Sequence, residues 1–381
     1  MLARLSELLP AGPGELPQRR ALLEAVAGLQ VTEGDPGAAV AELAAAGLLG
    51  QSVAQHGSLS IRSLCVVRAA LAYRSPLYDL MFVMQGLGSH AVAVAGSQEQ
   101  RDWLLPRAAA GTVICALALT EPEAGSDLAG IRTSARQLAD GDYVLDGEKV
   151  FISNAGLADS HVLYARTGEH PKRGLTAFLL PRDTAGLEVT PMRLLCDDHP
   201  IGRLVLRGVR LPQSARIGEE GQGMELALGT LEHFRPSVGA AAIGMAGRAL
   251  DEAIAHVSRR QQFGQPLSGF QATQMALAEM ATECTAAALL VQHAAQLLDS
   301  KSDALGSAAM ASAMAKLAAT EMAQRVVDRS LQLHGGSGLL AGSPIERLYR
   351  DVRALRIYEG TSEIQKLIIA RHLLRPAKTP K

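Results

Sequence analysis

The sequence predicts an α+β chain. An N-terminal helical domain is expected over 1–115, a middle β domain of barrel or sandwich type over 116–215, and a C-terminal four-helix bundle over 216–381. Three observations carry this. Up to about 115 the chain is rich in Ala and Leu at helical spacing, with Leu22, Leu23, Val26 and Leu29 on one face. Between about 116 and 215 the apolar period changes to two. From about 222 long Ala/Met/Leu segments return. A length of 381 residues allows two or three domains and a core that needs no disulfide staples.

Each zone has its own punctuation. Pro36, Gly47, Gly57 and Pro76 divide the first. In the second, the runs Ile114–Leu119, His161–Ala165, Leu175–Leu180 and Leu204–Val209 are bounded by Gly, Pro or Asp and read as short strands. Tyr143 and Leu145 precede Asp146-Gly147, and Val150 and Ile152 follow it, which predicts a hairpin at that dipeptide. In the third, helices are expected over 222–262, 269–299, 304–333 and 362–374. They are broken at 264–269, at Ser300–Asp303 and at Gly335–Pro344, the pattern of a bundle.

Composition excludes several classes of function. Hydrophobic residues make up 48% and charged residues 20%, so the chain is not disordered. Lys and Arg number 37 against 38 Asp and Glu, a net charge of −1, which argues against a nucleic-acid partner. The four cysteines, Cys65, Cys115, Cys196 and Cys284, form no CxxC or CxxH pair, so they read as buried free thiols in a reducing compartment. The ten His show no metal-type spacing, so no metal is expected. The uncharged stretches Leu43–Ile61 and Leu80–Gln98 are interrupted by Gln, Ser, His and Gly, so no membrane span is expected. At the N-terminus Glu7, Glu15, Pro10 and Pro13 argue against a signal or transit peptide. A cytoplasmic protein is expected. Rossmann, P-loop, GxSxG, HExxH and EF-hand signatures are missing.

Four segments stand out. Ala118–Asp127, with Thr120, Pro122, Gly125 and Ser126 after an apolar strand, reads as an ordinary strand-to-turn connection or as a loop offering hydroxyls and N–H groups to a ring or phosphate. Arg259–Leu267 ends a long helix; its two cations complement the helix dipole or hold a pyrophosphate. Leu331–Gly338 has three glycines in four residues, more than a helix cap requires, while His334 in it reads as a packed, capping or catalytic histidine. In Leu355–Gln365, Ser362 and Gln365 fit a capping box, and Glu359 stands beside Gly360, Ile357 and Tyr358. A carboxylate there is either solvated or, with its pKa raised by apolar surroundings, a base.

Together these segments resemble the acyl-CoA dehydrogenase family, in order and spacing, over nearly the whole chain. Thr120–Asp127 is similar to the family's flavin-and-substrate loop, Glu148–Asn154 to its next flavin-facing strand, and Arg259–Leu267, Gln332–Gly338 and Ile357–Gln365 to its remaining signatures. The resemblance implies FAD, lying between the β domain and the C-terminal bundle. The matched positions for the isoalloxazine are Leu117, Leu119, Thr120, Phe151 and Ser153, with Phe151 standing where many members carry Trp. Those for pyrophosphate and adenosine are Arg260, Gln262, Phe263, Gln271, Gln332 and Gly336, which in relatives reach a neighbouring subunit's flavin. Thr361 and Glu363 match positions that also touch FAD; Ser126, also counted with the flavin loop, Glu232, Arg235 and Gly360 match the acyl-CoA site. A homodimer or a dimer-of-dimers homotetramer is implied.

Glu359 matches the family's usual catalytic base. The alternative position used by some relatives is Phe234 here, which takes no proton, and Glu232 is a weaker fallback. The implied reaction is α,β-dehydrogenation of an acyl-CoA thioester. Glu359 takes the α proton, its backbone N–H and a ribityl hydroxyl stabilise the enolate oxygen, and the β hydrogen leaves as hydride to flavin N5. The implied product is the trans-2-enoyl thioester, with an electron-transfer flavoprotein as acceptor.

Two departures from the family stand near substrate entry: Ser52–Leu59 replaces an aromatic-glycine loop, and Leu195–Ile201 replaces a basic, glycine-bearing approach. The alternatives they leave open are an acyl-carrier-protein-linked dehydrogenase, or a flavin oxidase or monooxygenase on the same fold. A helical binding protein that has lost FAD is a third.

Overall fold

The structure, a computed structural model, describes residues 16–55, 57–196, 198–300 and 308–374. The N-terminal stretch read against a leader, His56 and Asp197 of the two departures, and 301–303 of the expected helix break lie outside the described residues. The helices are α1 (Leu16–Ala27), α2 (Pro36–Ala45), α3 (Ile61–Arg74), α4 (Pro76–Leu87), α5 (His90–Ala95), α6 (Gln98–Ala109), α7 (Gly223–Arg259), α8 (Gln271–Ser300), α9 (Ala308–His334), α10 (Pro344–Ala354) and α11 (Ser362–Leu373). The strands are β1 (Cys115–Ala118), β2 (Ser134–Gln137), β3 (Tyr143–Ser153), β4 (Ser160–Arg166), β5 (Leu175–Pro181), β6 (Leu187–Pro191), β7 (Ile201–Leu211), β8 (Arg216–Ile217), β9 (Gln261–Gln262) and β10 (Gln265–Pro266). No described helix is long and apolar enough to cross a membrane.

The chain divides into two compact units, one of 29–60 and 77–231, the other of 16–28, 61–76 and the chain from 232. In the first, β6-β7-β3-β2-β4-β5-β8 form an eight-stranded sheet with β1, which pairs in parallel with β4. β4 is buried on both faces, as its run of apolar residues requires. Val162 and Tyr164 pack with Val92 of α5, Leu104, Leu105 and Ala108 of α6, and Leu226 at the start of α7. Leu163 and Ala165, pointing the other way, join Ala116, Ala118, Leu145, Phe178 and Leu204. Each such large side chain contributes about 1.5–3 kcal/mol of burial. This packing fixes the direction in which β1 and β3 deliver their C-terminal ends.

The hairpin expected at Asp146-Gly147 does not form. β3 runs unbroken through the dipeptide, paired with β7 and with a register shift between Leu145 and Gly147. The Asp146 carboxylate accepts the Gly208 N–H at 2.7 Å. A Cβ on Gly147 would lie 2.6 Å from Thr133 Oγ1, so the glycine serves a close approach within a bulged strand and not a turn.

In the second unit, α8 packs on α9, and α9 on α10 and α11. α1 lies on α3 and α3 on α8. α7 is tied to α3 by Arg68 Nη1 donating to Ser237 Oγ at 3.0 Å and Tyr73 Oη donating to Asp251 Oδ2 at 2.7 Å. Of these, α10 falls between two expected helices; Ser343 caps it and Pro344 opens it, a start signal inside a stretch read as a break. The four cysteines are buried and form no disulfide, as expected.

Candidate active site

The carboxylate of Glu359 follows α10 in a turn closed by Ser362 N–H donating to the Arg356 carbonyl. Its backbone is left-handed, φ 53°, and Gly360 follows at φ 92°. The expected capping box at Ser362 and Gln365 is not made. Thr361 is the N-cap of α11, its Oγ1 accepting the Ile364 N–H at 3.4 Å. Ser362 is the first helical residue, and its hydroxyl donates to Glu321 Oε1 at 2.6 Å. The Gln365 carboxamide reaches back to the Gly360 carbonyl at 2.8 Å and the Glu359 carbonyl at 3.4 Å. Left-handed residues leave those carbonyls outside the helix ladder, and the side chain satisfies them.

Around Glu359 the unit places alternating charge. Arg235, on α7, is buried; burial pulls its guanidinium pKa down, and the charges of Glu359 and Glu232 oppose this. Lys316, on α9, is 0% exposed and donates to the Gly360 carbonyl at 2.8 Å. Burial pulls its ammonium down to about 8 against the attraction of Glu359. Glu232, Arg235, Glu359 and Gly360 are thus residues of one unit, with Glu232 half-buried. Phe234 is fully buried, and its carbonyl accepts the Ser237 hydroxyl. Lys316 was not anticipated. A lone Lys in an Ala-rich helix stretch, Ala311–Ala319, was its signal.

The other unit carries a second group. β1 ends at Ala118; Leu117 and Thr120 are half-buried and Leu119 is buried. The Thr120 carbonyl accepts the Val150 N–H at 2.9 Å, which ties the loop to β3. Glu121, buried at the start of the loop, accepts from the Arg132 and Thr133 N–H groups at 2.7 and 2.9 Å and from Lys149 Nζ at 2.8 Å. Lys149 also donates to the Leu119 carbonyl at 3.1 Å. Burial pulls Lys149 down to about 8; it would raise Glu121, but the lysine's charge and the backbone donors leave that carboxyl below its usual value. This pair was also missed: Glu121 stands between Thr120 and Pro122 in a loop and Lys149 follows Glu148 in β3, so both read as solvated charges.

Phe151, at φ 57°, interrupts the β3 register and presents a ring that is 54% exposed. Two residues on, Ser153 Oγ lies 2.8 Å from His199 Nε2, an imidazole whose pKa burial pulls down to about 4 and which is therefore neutral. Ser126 is exposed. An aromatic held outward by a left-handed backbone, with a fixed hydroxyl beside it, fits the flat face and polar edge of a flavin ring.

The remaining flavin-matched residues belong to the second unit. After α7 ends at Arg259, β9 and β10 form a minimal hairpin with Phe263 at its tip, φ 52° and 92% exposed. Arg260, Gln262 and Gln271 are exposed there, as are Gln332 and Gly336 at the end of α9. His334 is packed: Nδ1 lies 2.7 Å from the Ser330 carbonyl and its ring 4.4 Å from that of His256. Glu363, in the first turn of α11, is exposed and held low by its own backbone N–H and the Thr361 hydroxyl. Among the described residues no cluster of His, Cys, Asp or Glu is arranged to hold a metal.

Three family models match in sequence: the acyl-CoA dehydrogenase N-terminal domain over 20–112, middle domain over 116–209 and C-terminal domain over 221–374. Among known proteins, cyclohexane-1-carbonyl-CoA dehydrogenase of Geobacter metallireducens is 35% identical over 319 residues, 82% of each chain. Acryloyl-CoA reductase (NADH) of Anaerotignum propionicum is 38% identical over 295 residues, 76% of this chain and 73% of its own. Among solved structures, glutaryl-CoA dehydrogenase of Mycobacterium smegmatis in complex with FADH2 superposes with a TM-score of 0.86 at 30% identity, covering 97% of each chain.

Proposed function

The chain belongs to the acyl-CoA dehydrogenase family, and from that membership we propose that it desaturates an acyl-CoA thioester to the trans-2-enoyl-CoA with FAD as cofactor. The observation that carries the reading is Glu359, a carboxylate on a left-handed residue with the charges of Arg235 and Lys316 in reach. Phe234, at the alternative base position, is buried and has no proton to exchange.

In this reading Glu359 takes the α proton, and its backbone N–H donates to the thioester oxygen as charge develops there. Arg235 and Lys316 place positive charge near that carboxylate. Glu232, Arg235, Gly360 and Ser126 orient the thioester. When bound, FAD supplies the hydride acceptor at N5. Leu117, Leu119, Thr120, Phe151 and Ser153 would meet the isoalloxazine, with Ser126 of the same loop also counted as cofactor-binding. Arg260, Gln262, Phe263, Gln271, Gln332 and Gly336 would meet the pyrophosphate and adenosine of a neighbouring subunit's flavin, and Thr361 and Glu363 would also touch FAD. That sharing makes a homodimer or a dimer of dimers the functional assembly, and an electron-transfer flavoprotein the acceptor. The division at 115 and 215, and a cytoplasmic location, are part of the same proposal.

A second reading runs the reaction backwards, favoured by the likeness to a protein named acryloyl-CoA reductase. The same carboxylate, protonated, would then deliver its proton to the α carbon. The experiment is anaerobic mixing of the flavin-loaded protein with saturated acyl-CoA, saturated acyl-carrier-protein thioesters and, after chemical reduction, enoyl-CoA. Bleaching by a saturated acyl-CoA and slow reoxidation by air are expected. Reoxidation by the enoyl thioester alone supports the reductase, bleaching only by the carrier-protein thioester the carrier-linked alternative. Rapid, stoichiometric peroxide formation would overturn both in favour of an oxidase.

A further inference from the structure

We propose that Lys316 is a positioning residue for the proton-abstracting carboxylate: its ammonium, with the Gln365 carboxamide, clamps the Gly360 carbonyl and so fixes the left-handed backbone of Glu359. The proposal rests on the reading of Glu359 as the base.

Two successive left-handed residues, Glu359 at φ 53° and Gly360 at φ 92°, form a conformation that a non-glycine residue abandons unless its surroundings hold it. Here two donors from two helices converge on one oxygen. Lys316 Nζ of α9 and Gln365 Nε2 of α11 each lie 2.8 Å from the Gly360 carbonyl, and Gln365 also reaches the Glu359 carbonyl at 3.4 Å. Gln365 sits so close that a Cβ on Gly360 would lie 2.6 Å from its nitrogen. Both side chains are 0% exposed, so neither geometry is averaged by solvent. A buried ammonium aimed at a main-chain carbonyl is a costly way to hold a loop. The charges that act on Lys316 are Glu359 first, then Arg235 of α7, Glu321 of α9 and Glu363 of α11, so the lysine is coupled to the base above its other neighbours. Its two effects are separable: the hydrogen bond sets where the carboxylate stands, and the charge favours its ionised form.

The test compares wild type, Lys316→Met, Gln365→Met and, as control, Glu359→Gln, each loaded with FAD, by anaerobic single-turnover flavin reduction with a competent acyl-CoA over a range of pH. Lys316→Met is expected to slow flavin reduction about 10- to 100-fold, with thioester affinity little changed. The acidic limb of its pH profile moves upward, because a cation favouring the carboxylate is gone. Gln365→Met, which removes a neutral donor, is expected to slow the reaction without moving the limb, and it keeps the test open if Lys316→Met does not fold. Amide hydrogen exchange in flavin-free protein is expected to accelerate over 359–361 in both variants. A folded Lys316→Met with wild-type rate, limb and exchange would overturn the proposal while leaving the base intact; if Lys316→Met does not fold, wild-type rate and exchange in Gln365→Met would do so. An active Glu359→Gln would overturn both.

Discussion

Among the described residues, five that are not glycine have left-handed backbones: Val31, Phe151, Asn154, Phe263 and Glu359. Three of them were singled out in the sequence as flavin or base positions. Their identities were legible because Phe-Ile-Ser-Asn, Gln-Phe-Gly and Tyr-Glu-Gly are short, ordered signatures. Their strain was not, because φ is set by the surrounding structure and only Gly or Asn announces it in advance. Lys316, Lys149 and Glu121 were overlooked for the converse reason: a charged residue reads as solvated until a fold buries it. Phe151 gives a test at this scale. An exposed ring costs the folded state little to lose, so Phe151→Leu is expected to change stability by about 0.5 kcal/mol or less. It is expected to release FAD, measured as flavin absorbance per protomer after gel filtration. Full flavin content would show that the ring covers nothing.

The elements were read well where one period ruled a long segment. α7, α8, α9 and α11 fall where Ala, Leu and Met recur at helical spacing, and β4, β5 and β7 where short apolar runs are bounded by turn residues. The errors came from residues with two uses. Asp146-Gly147 has turn chemistry, but Thr133 against Gly147 gives the glycine a packing role inside β3. Thr361-Ser362 offers two capping hydroxyls in a row, and Glu321 claims the second. Between β1 and β3, Glu121 and Lys149 form a buried pair that joins the flavin-matched loop to its strand. Removing one partner strands the other, so Glu121→Gln is expected to cost about 3–5 kcal/mol, seen as a lower Tm. Glu121 titrates below its usual value in the folded state. Its contribution is therefore complete above the unfolded carboxylate range near 4.5 and fades as pH falls through the lower folded value. Wild type and Glu121→Gln should thus converge in stability as pH falls progressively below the unfolded carboxylate range; a gap that persists unchanged throughout acid titration of the folded protein would contradict the pairing.

For the whole molecule, three textures in the sequence foretold helical, β and helical parts, and these correspond to the three family models that match it. Contact between distant segments is not written in texture, and so the gathering of 16–28 and 61–76 with the chain beyond 232 was not foreseen. The same limit applies to the site: motifs supplied Glu359 and its flavin-matched companions, while the burial of the cations Arg235 of α7 and Lys316 of α9, whose charges act on Glu359, emerged only with the fold. The account stands or falls on Glu359 taking the α proton. The most direct measurement is anaerobic stopped-flow reduction of bound FAD by a saturated acyl-CoA in wild type and Glu359→Gln, matched for flavin content and Tm. The expected result is prompt bleaching in wild type and a rate about 10²–10⁴ lower in the variant, with the flavin still bound. Flavin reduction in Glu359→Gln at more than about a tenth of the wild-type rate, well outside the loss expected for an essential base, would contradict the account.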